Sequence, residues 1–108
     1  MDENEQIKLL IEIILDKQGD ESERQDALFY LRDHGSLEIE NALLRIINDI
    51  NDDYDMRRDA CETLAEVWNN QNKCRPILLN NMDKYLADDI KMFTLALRPD
   101  WKKYFDNL

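Results

Sequence analysis

Apolar residues recur every three or four positions along most of this chain, which is the spacing of an amphipathic α-helix. The pattern predicts helices over about residues 3–18, 20–34, 36–50, 54–69, 76–82 and 87–97. Ser36 is a favourable N-terminal cap for the third of these helices, and Pro99 ends the last one. A short aromatic turn with Trp101, Tyr104 and Phe105 follows, and we expect it to cover one end of the fold.

Two Gly and two Pro in 108 residues leave little room for the turns of a sheet, so we predict one all-α domain, residues 1–108, with six to seven helices. The first helix has the widest apolar surface, from Ile7 to Ile14, and it either begins a stack of helices or forms a homodimer interface. Only Gly35 and Ser36 separate the second and third helices, so we expect these to form an antiparallel pair, with Gly35 in the left-handed conformation.

Each later helix has an apolar face of its own. The residues expected to pack inward from these faces are Ala27, Leu28, Leu31, Leu37, Leu43, Ile46, Ile47, Ile50, Ala60, Leu64, Val67, Trp68, Ile77, Leu78, Met82, Ile90, Phe93 and Leu97. Trp68 also lies beside a polar loop at the end of its helix, where it is a candidate anchor for a partner protein.

Two segments of the chain repeat each other at an offset of 33 residues. Arg24-Gln25-Asp26-Ala27 with Leu31 recurs as Arg57-Arg58-Asp59-Ala60 with Leu64. A period of this length is typical of stacked helical arrays, in which a single helix pair cannot bury its apolar face alone. We therefore predict a short right-handed stack of antiparallel helix hairpins, an α-solenoid, which is an architecture that presents surfaces for binding.

The segment Asp53-x-Asp55-Met56-Arg57-x-x-Ala60-x-x-x-Leu64 resembles the first helix of a HEAT repeat. A weaker copy contains Asp20, Arg24, Ala27 and Leu31, with polar Glu23 in place of an apolar residue. A third copy around Asp88, Ile90, Phe93 and Leu97 lacks the Arg and the Ala. The resemblance implies a HEAT-like stack in which Asp and Arg tie one repeat to the next and Ala permits close helix approach. It implies no particular activity, because one fold hosts many functions.

Negative charge is concentrated in the first half of the chain. Residues 1–54 contain 15 Asp or Glu and 5 Lys or Arg, whereas residues 55–108 contain 9 of each, so the net charge of −10 belongs to the first half. Such a surface repels nucleic acid and anionic membranes, so we expect neither as a partner. The expected partner is a basic protein, for example one that itself binds nucleic acid. The alternative is an acidic surface that serves solubility alone.

Residues that could build a catalytic or metal centre are few. His34 is the only histidine and lies where it can cap a helix, while Cys61 and Cys74 lack the spacing of a metal knuckle or a redox pair. The stretch that starts at Asp49 begins like a calcium loop, but its sixth position is Tyr54 instead of Gly. We therefore predict no enzyme activity, no cofactor and no metal site.

The acidic N-terminus is unlike a signal peptide, and no apolar run is long enough to span a bilayer, so we expect a cytoplasmic protein. Together these features predict a non-enzymatic protein inhibitor, similar as a class to the small acidic immunity proteins or antitoxins of bacterial toxin systems. Its acidic surface would cover the active site of a cationic toxin, for example a nuclease.

The residues expected to contact the partner are Asp20, Glu21, Glu23, Asp26, Asp33, Glu38, Glu40, Asp52, Asp53, Asp55 and Trp68. Asp59, Glu62 and Glu66 are interpreted as a solvated helix face. Two alternatives stay open: a HEAT-like adaptor or assembly-factor subunit that binds another protein through apolar contacts, and a HEAT-like lyase that attaches pigments.

Overall fold

A computed structural model describes residues 2–106 of the chain, and within that range it contains six α-helices and two short 3₁₀ segments. The α-helices are α1 Glu3–Leu15, α2 Glu21–Leu31, α3 Leu37–Ile47, α4 Tyr54–Gln71, α5 Lys84–Leu97 and α6 Lys102–Asp106. The 3₁₀ segments are Pro76–Leu79 and Pro99–Trp101. The part of the chain that is described has no β-strand, which confirms the all-α prediction. None of its helices combines the length and the apolar character needed to cross a bilayer.

Helices α1 and α2 form one antiparallel hairpin, and α3 and α4 form a second. In the first, Arg24 near the start of α2 bonds the carbonyl oxygen of Ile14 near the end of α1. Arg57 repeats this contact in the second hairpin, where its Nε donates to the carbonyl oxygen of Ile47 over 2.9 Å. The predicted pairing of α2 with α3 is therefore wrong, because α2 packs against α1 and α4 instead.

The two hairpins stack side by side in parallel register. The Gln25 side chain bonds Asp59 over 3.3 Å, and two turns later Arg32 bonds Glu66 over 3.1 Å, so α2 and α4 run in the same direction. At the other side of α4, Arg98 at the end of α5 bonds Asn72 at the end of α4. Helices α2, α4 and α5 thus form one layer, which α1 and α3 cover from the other side.

An Asp side chain caps the N-terminus of each helix in this layer, namely Asp20, Asp53 and Asp83. The first two caps keep the 33-residue offset, whereas α5 follows α4 at an offset of 30. The Asp at the start of the third repeat is therefore Asp83, whereas the sequence comparison placed this repeat on Asp88. The helix predicted before it is reduced to the 3₁₀ segment Pro76–Leu79.

The core lies between the two layers and contains most of the residues predicted to pack inward. Four of those predictions are wrong: Leu37 is 59% exposed, Ile50 is 81% exposed, Ile77 is 67% exposed and Leu97 is 38% exposed. Ile50 follows the last turn of α3, so the helical spacing continues in the sequence after the helix has ended. Trp101 and Phe105 are buried against the core at the end of the chain, as predicted.

The first helix packs on both α2 and α3, and its stripe residues Leu10, Ile11 and Ile14 are buried by these contacts. Leu9 is left 44% exposed. The structure therefore supports the interpretation that α1 begins the stack. The homodimer through α1 stays a prediction.

Gly35 does not adopt the left-handed conformation predicted for it, since no glycine among the described residues has a positive φ. A Cβ at this position would lie 2.6 Å from Cγ of Gln71, which is far inside van der Waals contact. The loop before α3 thus passes close to the last turn of α4, and a side chain at position 35 would require the Gln71 side chain to move.

Arg24 ties the first hairpin to the second. Its Nε and Nη2 both donate to the carbonyl oxygen of Ile14, over 3.1 and 2.6 Å, while its Nη1 and Nη2 bond both carboxylate oxygens of Asp52 over 3.0 and 2.8 Å. Only 5% of the Arg24 side chain and 3% of the Asp52 side chain are exposed. The tie that the resemblance implies is therefore present, but it uses Asp52, because Asp20 and Asp53 are helix caps.

Replacing Arg24 with Met should lower the free energy of unfolding by about 3–5 kcal/mol, because the Asp52 carboxylate would stay buried without a cation. The matched control is Arg57→Met, which removes the bond to Ile47 and no ion pair, and which should cost about 1 kcal/mol. Urea denaturation followed by circular dichroism measures both values. Equal losses would show that the Arg24 pair does not hold the hairpins together.

The hydrogen bond from Arg24 holds the pKa of Asp52 below its ordinary value of 3.8. The folded state therefore favours the ionised carboxylate, and the stability that it contributes is present above pH 3.8 and lost as the pH falls below it. We expect Asp52→Asn to be less stable than the wild type at pH 7, and we expect the difference to disappear as the pH falls through the lowered folded-state pKa of Asp52. A constant difference across this range, measured by urea denaturation, would contradict the coupling.

Candidate functional site

Four acidic residues form a stripe along the exposed side of α4. Asp55, Asp59, Glu62 and Glu66 follow one another at intervals of four, three and four, which places them on one face of the helix. The opposite face of α4, with Ala60 and the residues around it, is buried in the core. We call these four residues the acidic stripe.

The acidic stripe forms one wall of a groove between α2 and α4. The groove has a volume of about 150 Å³ and is lined by Gln25, Leu28, Phe29 and Arg32 of α2 and by Asp59, Glu62, Thr63 and Glu66 of α4. Arg32 pairs with Glu66, and its guanidinium lies 4.8 Å from the centre of the Phe29 ring. Within residues 2–106, neither Asp59 nor Glu62 has a Lys or Arg nitrogen within ion-pair distance. The groove therefore has two carboxylates without a cation.

Burial raises the pKa of Asp59 above its ordinary value, and the negative charges of Glu62 and Asp55 raise it further. The hydrogen bond from Gln25 and the nearby positive charge of Arg58 oppose this shift. The ionised carboxylate of Asp59 is thus held in surroundings that disfavour its charge. A cation that enters the groove would reverse this effect, because an opposite charge stabilises the ionised form.

At the N-terminal end of α4, a second group of carboxylates continues the stripe. Oxygen atoms of Glu21, Asp53 and Asp55 all lie within 4.8 Å of one another, and all three residues are exposed. The Asp53 carboxylate also accepts the backbone N–H of Asp55 as the cap of α4. The positive end of the helix dipole favours carboxylates at this position without any ion. Since Asp55 belongs to both groups, the acidic surface runs without a break from the loop edge into the groove.

Eight of the eleven residues predicted to bind a partner are exposed, and they are Asp20, Glu21, Glu23, Asp26, Asp33, Glu38, Asp53 and Asp55. Three of these, Glu21, Asp53 and Asp55, lie together at the loop edge. Asp26 and Asp33 flank Phe29 on the outer side of α2 by their spacing. Glu23 lies on the side of α2 away from the groove, and Glu38 lies at the start of α3 in the other layer. The predicted set is therefore only partly one surface.

The other three predicted contacts are placed inside the fold, which corrects those assignments. Glu40 is 2% exposed and accepts a 2.7 Å hydrogen bond from Arg75, and Asp52 is held by Arg24. Trp68 is fully buried in the core. Each of them contributes to folding, so none can contact a partner in this structure.

Sequence reasoning missed the groove residues Asp59, Glu62, Glu66 and Phe29. The regular spacing of the acidic stripe was visible in the sequence, but an acidic face of a single helix is usually exposed to solvent and has no binding role. The distinguishing information is that α2 packs alongside and half-buries Asp59. That contact depends on the tertiary structure.

Comparisons of this chain with protein-family models, with curated proteins and with solved structures found no match. The functional argument therefore depends on the surface itself.

Because the ionised form of Asp59 is disfavoured in the folded state, Asp59→Asn should raise the free energy of unfolding at pH 7. The gain should be less than about 1 kcal/mol, because the groove is open to solvent. The raised pKa means that this gain shrinks as the pH falls through the folded-state pKa and vanishes below the ordinary value of 3.8. The control is Asp26→Asn on the exposed side of α2, for which we expect almost no change. Urea denaturation at several pH values measures both, and a destabilising effect of Asp59→Asn would contradict this account of the groove.

Proposed function

We propose that this protein is a non-enzymatic inhibitor that binds a basic protein through the acidic stripe and the loop edge beside it. In its most specific form, the proposal is an immunity protein or antitoxin that covers the active site of a cationic toxin, for example a nuclease. The observation that carries it is the groove between α2 and α4, where Asp59 is partly buried beside Glu62. Among the described residues, neither carboxylate has a Lys or Arg nitrogen within ion-pair distance.

The charge distribution supports fast and selective capture of a basic partner. The chain has a net charge of −10, and a surface of one sign steers an oppositely charged protein before contact. Complementary charges also raise the association rate constant and disfavour partners of the wrong sign. A lysine or arginine of the partner that reaches Asp59 would form the ion pair that Asp59 lacks within the described part of the chain.

The acidic surface also contains an aromatic anchor. Phe29 is 59% exposed at the edge of the groove, and Tyr30 beside it in the sequence is 60% exposed. Exposed aromatic residues of this size often supply much of the binding energy in protein interfaces. The combination favours an interface with an apolar centre and a charged rim.

An adaptor that binds through apolar contacts is the second candidate, and the exposure of Tyr85 (73%) and Ile50 (81%) favours it. The two functions differ in their dependence on salt. Binding by the inhibitor should weaken strongly between about 0.05 and 0.5 M salt, because ions screen exposed charges, whereas binding by the adaptor should change little.

The test uses a partner captured from the source cells at low salt and then purified. The triple variant Asp55→Asn, Asp59→Asn, Glu62→Gln should lower the association rate constant about tenfold at about 0.05 M salt and only slightly at about 0.5 M. Stopped-flow or surface plasmon resonance measurements give this rate constant directly.

The control variant Glu3→Gln, Glu5→Gln, Glu12→Gln removes the same number of charges from α1, which lies in the other layer. It should affect association much less than the stripe variant does. Equal effects of the two variants would show that net charge alone attracts the partner. A partner that binds both variants as tightly as the wild type at low salt would exclude the charge mechanism.

A further inference from the structure

A second cavity lies at the opposite edge of the protein, beyond the C-terminal end of α4. Its volume is about 510 Å³, which is within the range of small-molecule sites. The lining residues are Asn72, Lys73, Cys74, Arg75, Pro76, Ile77, Trp101 and Tyr104. The acidic stripe contributes nothing to it, so this cavity is separate from the surface proposed for the protein partner.

The aromatic wall of the cavity is held rigidly. Arg98 bonds the Asn72 side chain over 2.7 Å and both carboxylate oxygens of Asp100 over 3.0 and 2.9 Å. Its guanidinium lies 4.2 Å from the centre of the Trp101 ring. Asn72 is the only non-glycine residue with a positive φ among those described, and its left-handed backbone turns the chain from α4 into the cavity wall. These contacts hold Trp101 in place on one side of the cavity.

Positive charge borders the cavity, in contrast to the rest of this acidic protein. Arg75 uses Nη1 to bond the buried carboxylate of Glu40, which fixes the guanidinium and leaves other N–H groups of Arg75 available. In the described part of the chain, Lys73 has no carboxylate within ion-pair distance. Lys73 and Arg75 also line a second depression beside Leu37, so these two residues lie between two concave surfaces.

We propose that this cavity binds a small organic acid with an aromatic or branched apolar body. Tyr104 and Ile77 provide apolar contact beside the edge of the buried Trp101 ring, and Lys73 and Arg75 provide the charge that a carboxylate or sulfonate requires. Ile77 and Tyr104 are 67% and 48% exposed, so a ligand of this class would cover apolar surface that the fold leaves open to solvent. The acidity of the protein elsewhere would keep such anions away from other surfaces.

The probe for the test is 8-anilinonaphthalene-1-sulfonate, an anionic aromatic molecule whose fluorescence rises in apolar surroundings. Its neutral analogue N-phenyl-1-naphthylamine tests the role of the charge. We expect saturable binding of the sulfonate at one site, binding of the neutral analogue that is about tenfold weaker, and competition by aromatic carboxylates. Amide shifts in ¹⁵N-labelled protein should change around residues 72–77 and 101–104.

The variants Lys73→Glu and Tyr104→Ala should each weaken binding of the sulfonate about tenfold. The matched controls are Lys84→Glu and Tyr85→Ala, which change an exposed lysine and an exposed tyrosine at the opposite end of α5 and should leave binding unchanged. Unaltered urea denaturation curves would confirm that all four variants are folded. Equal binding by all variants, equal binding of the neutral analogue, or fluorescence that never saturates would each overturn the proposal.

Discussion

The stacking of the two hairpins depends on one buried arginine. Arg24 donates hydrogen bonds to the carbonyl oxygen of Ile14 in its own hairpin and to the carboxylate of Asp52 in the next hairpin. Both partners lie at the same edge of the fold. This contact fixes the register in which α2 lies beside α4. The groove that brings Asp59 close to Gln25 exists only in that register, so the candidate interface depends on the same ion pair as the fold.

Much of the fold could be predicted because its signals are local. The helices, the capping role of Ser36, and most core positions follow from spacing and from side-chain chemistry within a few residues. The pairing of helices was harder to predict. A connection of only two residues suggested that α2 and α3 form a hairpin, but the observed connection is residues 32–36. Helix α2 packs against α1 and α4, and α3 packs against α4 and α1. The length of a loop does not show which helices pack together.

The candidate site was less predictable than the fold. Acidic residues in a sequence look alike, whereas in the structure Asp52 and Glu40 are buried partners of arginines and Asp59 faces a groove without a cation. Ile50 was misassigned because the helical period continues past the end of α3. For the acidic residues, the missing information was a neighbour that is distant in the sequence, and the number of charges in the chain does not identify that neighbour. For Ile50 it was the position at which α3 ends.

The parallel packing of α2, α4 and α5 separates the two kinds of charge. All three N-termini lie at one edge, where helix dipoles favour carboxylates, and the C-termini lie near Lys73 and Arg98 at the other. Capping thus explains the acidic loop edge without any partner. It does not explain Asp59 and Glu62, which lie in the middle of α4, where the dipole gives carboxylates no support. These two residues therefore carry the functional argument, because burial disfavours the charge of Asp59 in the folded protein and a basic partner would favour it.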